Sequence, residues 1–153
     1  MVSPRLLVLI EDNPNDELLT VRALRRNNIT NPLVILRDGA QALEYLFGAG
    51  AYAGRNVRET PAVILLDLKL PKIDGLEVLQ HLRADPRTRP IPVVVLTSSL
   101  EEQDIRESYA LGANSYLRKP VEFEGLVQAV QQLGQYWLVL NEPPPAPLDE
   151  AHV

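Results

Sequence analysis

The chain has 153 residues, no cysteine, and a net charge of −5 from 20 acidic and 15 basic side chains. A chain of this length is one domain's worth and can bury roughly 70% of its unfolded surface in a single core; without cysteine, disulfides and thiolate zinc sites are excluded, which fits a reducing compartment. The acidic balance argues against a nucleic-acid surface, which needs clustered Lys and Arg, and the apolar run 6–10 is too brief for a signal peptide or a membrane span. The expectation is a soluble, cytoplasmic protein whose direct partner is another protein.

In chain order, strands and helices alternate. Residues 5–10 form an apolar strand ending on Glu11-Asp12, and Asn13-Pro14 supplies a cap and a first-turn proline for a helix over 15–27 with Leu18, Leu19, Val21, Ala23 and Leu24 on its apolar side. Residues 33–36 read as a second strand, and Asp38-Gly39 turns the chain into a helix with Ala42, Leu43, Leu46 and Phe47 at helical spacing. The segment 48–61, punctuated by Gly48, Gly50, Gly54 and Pro61, reads as a long surface loop. Next comes 62–66, apolar at every position, which predicts a strand buried on both faces; it stops on Asp67, and the chain breaks between Pro71 and Gly75.

Asp74 is an N-cap candidate for a third helix marked by Leu76, Leu79 and Leu82, which stops before Asp85-Pro86. Residues 91–96 predict a fourth strand ending on Thr97-Ser98-Ser99, and 101–111 a fourth helix closed by Gly112. A short fifth strand over 115–117 is stopped by Lys119-Pro120. A long fifth helix then runs from 121 to about 140, with Phe123, Leu126, Val127, Val130, Leu133 and Trp137 recurring at helical spacing. Five strand–helix repeats imply an α/β, doubly wound, five-stranded parallel sheet with helices on both faces. The expected organisation is one domain over 1–140 and a proline-rich extended tail over 141–153.

In open α/β sheets, ligands bind beyond the carboxyl ends of the strands, and there this sequence places Glu11, Asp12, Asp67, Thr97 and Lys119. Each has an ordinary reading alone: a cap, a turn residue, a solvated lysine. Their joint placement carries the functional one. Three close carboxylates repel unless a cation or protons compensate, and Mg2+ does so with hard oxygen ligands while keeping waters and phosphate oxygens. With Lys119 on one side and Mg2+ on the other, a phosphoryl group meeting Asp67 would be neutralised as the carboxylate forms an acyl phosphate. Thr97 could hydrogen-bond the same group. His81 and His152 lie away from this edge, and Asp16, Glu17, Glu101 and Glu102 sit in first helical turns, where the helix dipole favours them without further role.

The pair Glu11-Asp12, the run Leu65-Leu66-Asp67-Leu68-Lys69-Leu70-Pro71 with Asp74-Gly75, the run Val95-Leu96-Thr97-Ser98, and Lys119-Pro120 resemble the response-regulator receiver domain of two-component signalling, over 5 to about 133. The resemblance implies a flavodoxin-like (βα)5 receiver fold. It implies that Asp67 is the phosphoacceptor, Asp12 a direct Mg2+ ligand, Glu11 a ligand through water, and the Lys69 backbone carbonyl a further ligand. Lys119 would bind phosphoryl oxygens across a cis Lys119-Pro120 peptide, and Thr97 and Tyr116 match the family's paired switch positions.

More narrowly, Glu11-Asp12-Asn13-Pro14, Asp104-Ile105 with Ser108-Tyr109, Leu117-Arg118-Lys119-Pro120-Val121 and Tyr136-Trp137-Leu138 are similar to the small stand-alone regulators of bacterial phytochrome histidine kinases. The implied protein is a single-domain switch that accepts a phosphoryl group from such a kinase. It would catalyse only its own phosphorylation and dephosphorylation, and signal through protein contacts without an output domain.

Two features depart from the family pattern: the 48–61 loop is longer than in minimal receivers, and Lys69 puts a cation where many receivers have a neutral side chain. A haloacid dehalogenase-like phosphatase is a competing reading, but it wants an acid two residues after the nucleophile, where Lys69 stands. A partner-binding pseudo-receiver is disfavoured by the intact set Glu11, Asp12, Asp67, Thr97 and Lys119. Finally, Tyr136-Trp137-Leu138-Val139-Leu140 is apolar throughout, more than one helical face can bury. This predicts a symmetric homodimer on the fourth helix, fifth strand and fifth helix, with Tyr136, Trp137 and Leu138 in the interface and the tail crossing the partner.

Overall fold

A strand that is apolar at every position needs cover on both faces, and the structure, a computed structural model describing residues 5–145, provides it. The strands β1 (Leu7–Ile10), β2 (Leu33–Leu36), β3 (Val63–Leu66), β4 (Val93–Thr97) and β5 (Ser115–Arg118) pair in parallel in the order β2-β1-β3-β4-β5. Side chains alternate across the sheet. Val8, Ile10, Ile64, Leu66 and Val93 pack beneath α2 (Gly39–Phe47) and α3 (Gly75–Ala84), while Leu7, Leu9, Val63, Leu65 and Val94 pack beneath α1 (Pro14–Arg26) and α5 (Phe123–Gly134). The remaining helix, α4 (Glu102–Ala110), buries only Ser108.

Local chemistry starts the helices where the sequence predicts. Asn13 Oδ1 accepts from the Asn15 and Asp16 amides at 2.9 and 3.0 Å with Pro14 opening α1; Asp38 and Asp74 cap α2 and α3 by accepting from Gln41 and Glu77 at 2.7 and 2.9 Å. Two glycines let the turns around Asp67 close. A Cβ on Gly75 would collide with the Asp67 carbonyl oxygen, and one on Gly39 with that of Ile73. Segment 48–61 is pinned rather than open: it contains a short 3-10 turn (Gly50–Tyr52), Tyr52 meets Tyr45 edge-on, and Arg55 stacks over Tyr45 while donating to the Tyr45 and Glu59 carbonyls.

The carboxyl-terminal region departs from expectation in three respects. After Gly134 the helix widens over Gln135–Leu140 into π geometry, with the Asn141 amide donating to the Tyr136 carbonyl five residues back at 2.6 Å. The wider turn rotates Leu138 back over the sheet, so this residue, expected in a dimer interface, is buried among Leu7, Leu24 and Val63 instead. Trp137 is half-buried against the same cluster, and Tyr136, Val139 and Leu140 face outward.

Second, the described part of the tail turns back on its own domain rather than extending away. Arg5 donates to the Asn141 carbonyl at 2.9 Å, and Pro143 and Pro144 line a cleft with Leu6, Tyr45 and Ala62 at the amino-terminal edge of the sheet. The expected reach of the tail across a partner falls on 146–153, outside the described residues. Third, the described residues contain no cis peptide, so Lys119-Pro120 is trans, the intrinsically favoured isomer of an X–Pro bond. The Lys119 side chain still reaches the carboxylates from that backbone. No helix of the described residues is long and apolar enough to cross a membrane.

Candidate functional site

The chain leaves β1 toward β2 on one side and leaves β3 toward β4 on the other, which opens a crevice at the carboxyl ends of β1 and β3. Glu11, Asp12 and Asp67 meet there, with ligand oxygens all within 4.8 Å of one another. Strand β4 brings Thr97, fully buried, and the turn after β5 brings Lys119. The predicted site residues therefore converge.

Lys119 organises the cluster. Its ammonium has three N–H donors and donates to Glu11 Oε2 at 2.7 Å, Asp67 Oδ2 at 2.8 Å and Asp16 Oδ2 at 2.9 Å. Asp16, read from sequence as a helix-dipole residue, is thus part of the site. Glu11 is held at both oxygens, since its Oε1 accepts from the Asn13 amide at 3.1 Å. Asp12 differs: its carboxylate is exposed, and no protein group holds it among the described residues. Lys69 sends its side chain to solvent while its backbone N–H points at Asp67 Oδ1 from 3.4 Å.

One cation does not balance these carboxylates. Burial pushes the Glu11 carboxyl up to about 7, with Lys119 opposing the rise and Asp67 adding to it. At Asp67 burial acts in the same sense, but the hydrogen bond and charge of Lys119, aided by the Thr97 hydroxyl, hold its carboxyl below the usual range. Lys119 is desolvated too, and Asp67, Glu11 and Asp16 keep it protonated well beyond an ordinary lysine. Hard oxygen donors, close spacing and this uncompensated charge fit a divalent cation.

A hydrogen-bonded path leads away from Asp67. The Ser99 amide faces Thr97 Oγ1 at 3.5 Å, the Ser99 carbonyl accepts from the Tyr116 hydroxyl at 3.0 Å, and Ser99 Oγ donates to Asp104 Oδ2 in the first turn of α4 at 2.6 Å. The resemblance pairs Thr97 with Tyr116; Ser99 and Asp104, which lie between them, have no such mark in the sequence. A hydroxyl two residues after a strand-end Thr, followed by an acid in the next helical turn, was the available signal.

Residues 7–131 match the model of the response regulator receiver domain. The chain belongs to that family. It is a response regulator of two-component signal transduction, built on the phosphoacceptor switch that receivers are. It is 43% identical over 144 residues to the probable methanogenesis regulatory protein FilR2 of Methanothrix harundinacea, covering 92% of this chain and 88% of that protein. The bacteriophytochrome response regulator RtBRR is 52% identical and superposes with a TM-score of 0.75, over 94% of this chain and 86% of that one. The Mn(2+)-bound form of response regulator Rcp1 is 40% identical with a TM-score of 0.84, over 92% and 99% of the two chains, and Rcp1 is from Synechocystis.

Proposed function

We propose that the protein accepts a phosphoryl group on Asp67 from a histidine kinase of phytochrome type, in a Mg2+-dependent reaction, and passes the change on through protein contacts. The observation that carries this reading is Asp67 itself: a buried carboxylate held in its charged form at a strand end, with one oxygen on Lys119. Similarity to a bacteriophytochrome response regulator supports the kinase class, and similarity to a Mn(2+)-bound receiver supports a divalent ion.

Asp12, unheld and exposed, would ligate Mg2+ directly, together with Asp67 and the Lys69 carbonyl. Glu11, whose Oε1 is held by the Asn13 amide, would act through water once its other oxygen turns from Lys119 toward the ion. Bound there, the ion would supply positive charge beside the transferring group. In the transfer, an Asp67 oxygen attacks phosphorus in line with the donor atom, a histidine nitrogen or the carboxyl oxygen of a small acyl phosphate. The new O–P bond forms as the donor bond breaks and the donor atom keeps that electron pair; a departing histidine nitrogen takes a proton from water, whereas the carboxyl oxygen of an acyl phosphate leaves as a carboxylate. Lys119 exchanges its Asp67 contact for a phosphoryl oxygen, and the buried Thr97 hydroxyl is near enough to donate to another.

Drawing Thr97 toward the phosphoryl group pulls on Ser99, whose carbonyl holds the Tyr116 hydroxyl. Phosphorylation then favours the inward Tyr116 ring and reshapes the surface of α4 and β5. We place a homodimer contact on that face and on the outward residues Tyr136, Val139 and Leu140, beside the half-buried Trp137. Incubation with acetyl phosphate tests the metal requirement: base-labile phosphate should accumulate with Mg2+ and vanish with chelator. Equal labelling in chelator would remove the metal from the mechanism.

A further inference from the structure

Lys119 holds three carboxylates, and two of them have other work in the phosphorylated protein. Asp67 carries the phosphoryl group, and Glu11 belongs to the acidic cluster that a divalent ion would occupy. Asp16 belongs to neither set. It sits in the first turn of α1, where its own backbone amide is tied to Asn13 Oδ1 at 3.0 Å and its carboxylate reaches Lys119 Nζ at 2.9 Å across 103 residues of sequence. Its side chain is 34% exposed, so burial does not force the contact. The local amide bond and the helix N-terminus instead hold a charged carboxylate on the outer side of the ammonium.

We infer that Asp16 is a positioning residue for phosphoryl transfer: it anchors the Lys119 ammonium from behind when Glu11 and Asp67 turn toward metal and phosphoryl group. The inference rests on the phosphoacceptor reading of Asp67 and Lys119 above. A lysine ammonium is a compact charge on a flexible four-carbon stem, and an ammonium that loses two of its three partners at once would swing. With Asp16 retained, one hydrogen bond survives every stage of the reaction. The other two donors remain aimed into the crevice, where the phosphoryl oxygens arrive. Asp16 touches neither phosphorus nor metal in this scheme, and acts only through Lys119.

The experiment compares wild type, Asp16→Ala, Asp16→Asn and Lys119→Ala in acetyl phosphate labelling at saturating Mg2+, with thermal melts to establish folding. Asp16→Ala should lower the maximal rate roughly tenfold, the order expected for losing one charge-assisted hydrogen bond, with the half-saturating donor concentration little changed. Asp16→Asn keeps a side-chain oxygen of the same reach for the ammonium and should restore the rate to within roughly threefold of wild type. A helix-dipole role alone predicts something else: both variants lose the same charge, share the same loss of stability and label at the wild-type maximal rate. Asp16→Ala at the wild-type maximal rate would overturn the inference, as would equal slowing by Ala and Asn. Wild-type labelling by Lys119→Ala would instead overturn the reading of Lys119 itself, which keeps the two failures distinguishable.

Discussion

Burial pushes the Glu11 carboxyl up to about 7, and a carboxyl must lose its proton before it can face a cation, so on the proposed metal site Glu11 would make cation binding depend on pH. In the metal-free protein, the raised value means the folded state binds more protons than the unfolded chain from the usual carboxylate range up to about 7. Stability from this group therefore falls as pH rises through that window. A bound Mg2+ would reverse the balance by favouring the charged form, and its apparent affinity should climb as pH passes upward through about 7 in isothermal titration. A flat affinity across that range would contradict the assignment. The roles of the acidic pair separate by substitution: Asp12→Ala should weaken Mg2+ binding far more than Glu11→Ala, because direct ligation outweighs a contact through water. Equal losses would count against both roles. The acidic pair, Asp67, Thr97 and Lys119 were legible in the sequence because each ends a strand, and strand ends share one edge. Asp16 was not, because a helix-dipole role explains an acid in a first turn equally well until Lys119 is seen beside it, 103 residues away.

Among the elements, the β4–α4 connection would carry the signal of the proposed switch. Ser99 contacts Thr97, Tyr116 and Asp104, so on the proposed switch a shift of the Thr97 hydroxyl would be felt at the start of α4. Beryllofluoride, a phosphate mimic, should move the Tyr116 ring resonances in wild type and leave them nearly unchanged in Thr97→Ala; an unmoved Tyr116 in the wild type would sink the switch. The other side of α4 is fixed by Arg83, whose guanidinium donates to the Gly112, Arg89 and Ile91 carbonyls and to Asn114 Oδ1. Arg83→Ala leaves several of these acceptors unpaired and should cost about 2 kcal/mol in denaturant unfolding. Helix starts were readable from sequence because Asn13, Asp38 and Asp74 satisfy donors two or three residues away. Arg83 was not, because its acceptors are backbone groups assembled by the fold, and the π-helical turn was missed because a spacing rule of 3.6 residues cannot register a local change of pitch.

At the scale of the whole molecule, that turn divides the apolar run 136–140. Leu138 completes the core, and Leu138→Ala should destabilise the monomer by about 2 kcal/mol or more. Tyr136, Val139 and Leu140 remain outside. Changing these three together to serine should shift sedimentation equilibrium toward monomer while the monomer stays folded, whereas unchanged self-association would remove them from an interface. The most direct test of phosphoryl transfer to Asp67 is a radiolabelled assay with an autophosphorylated phytochrome-type histidine kinase. Label should pass to the wild-type protein as an acid-stable, base-labile adduct and be absent from Asp67→Asn. Wild-type levels of label on Asp67→Asn would contradict the assignment of Asp67 as the phosphoacceptor.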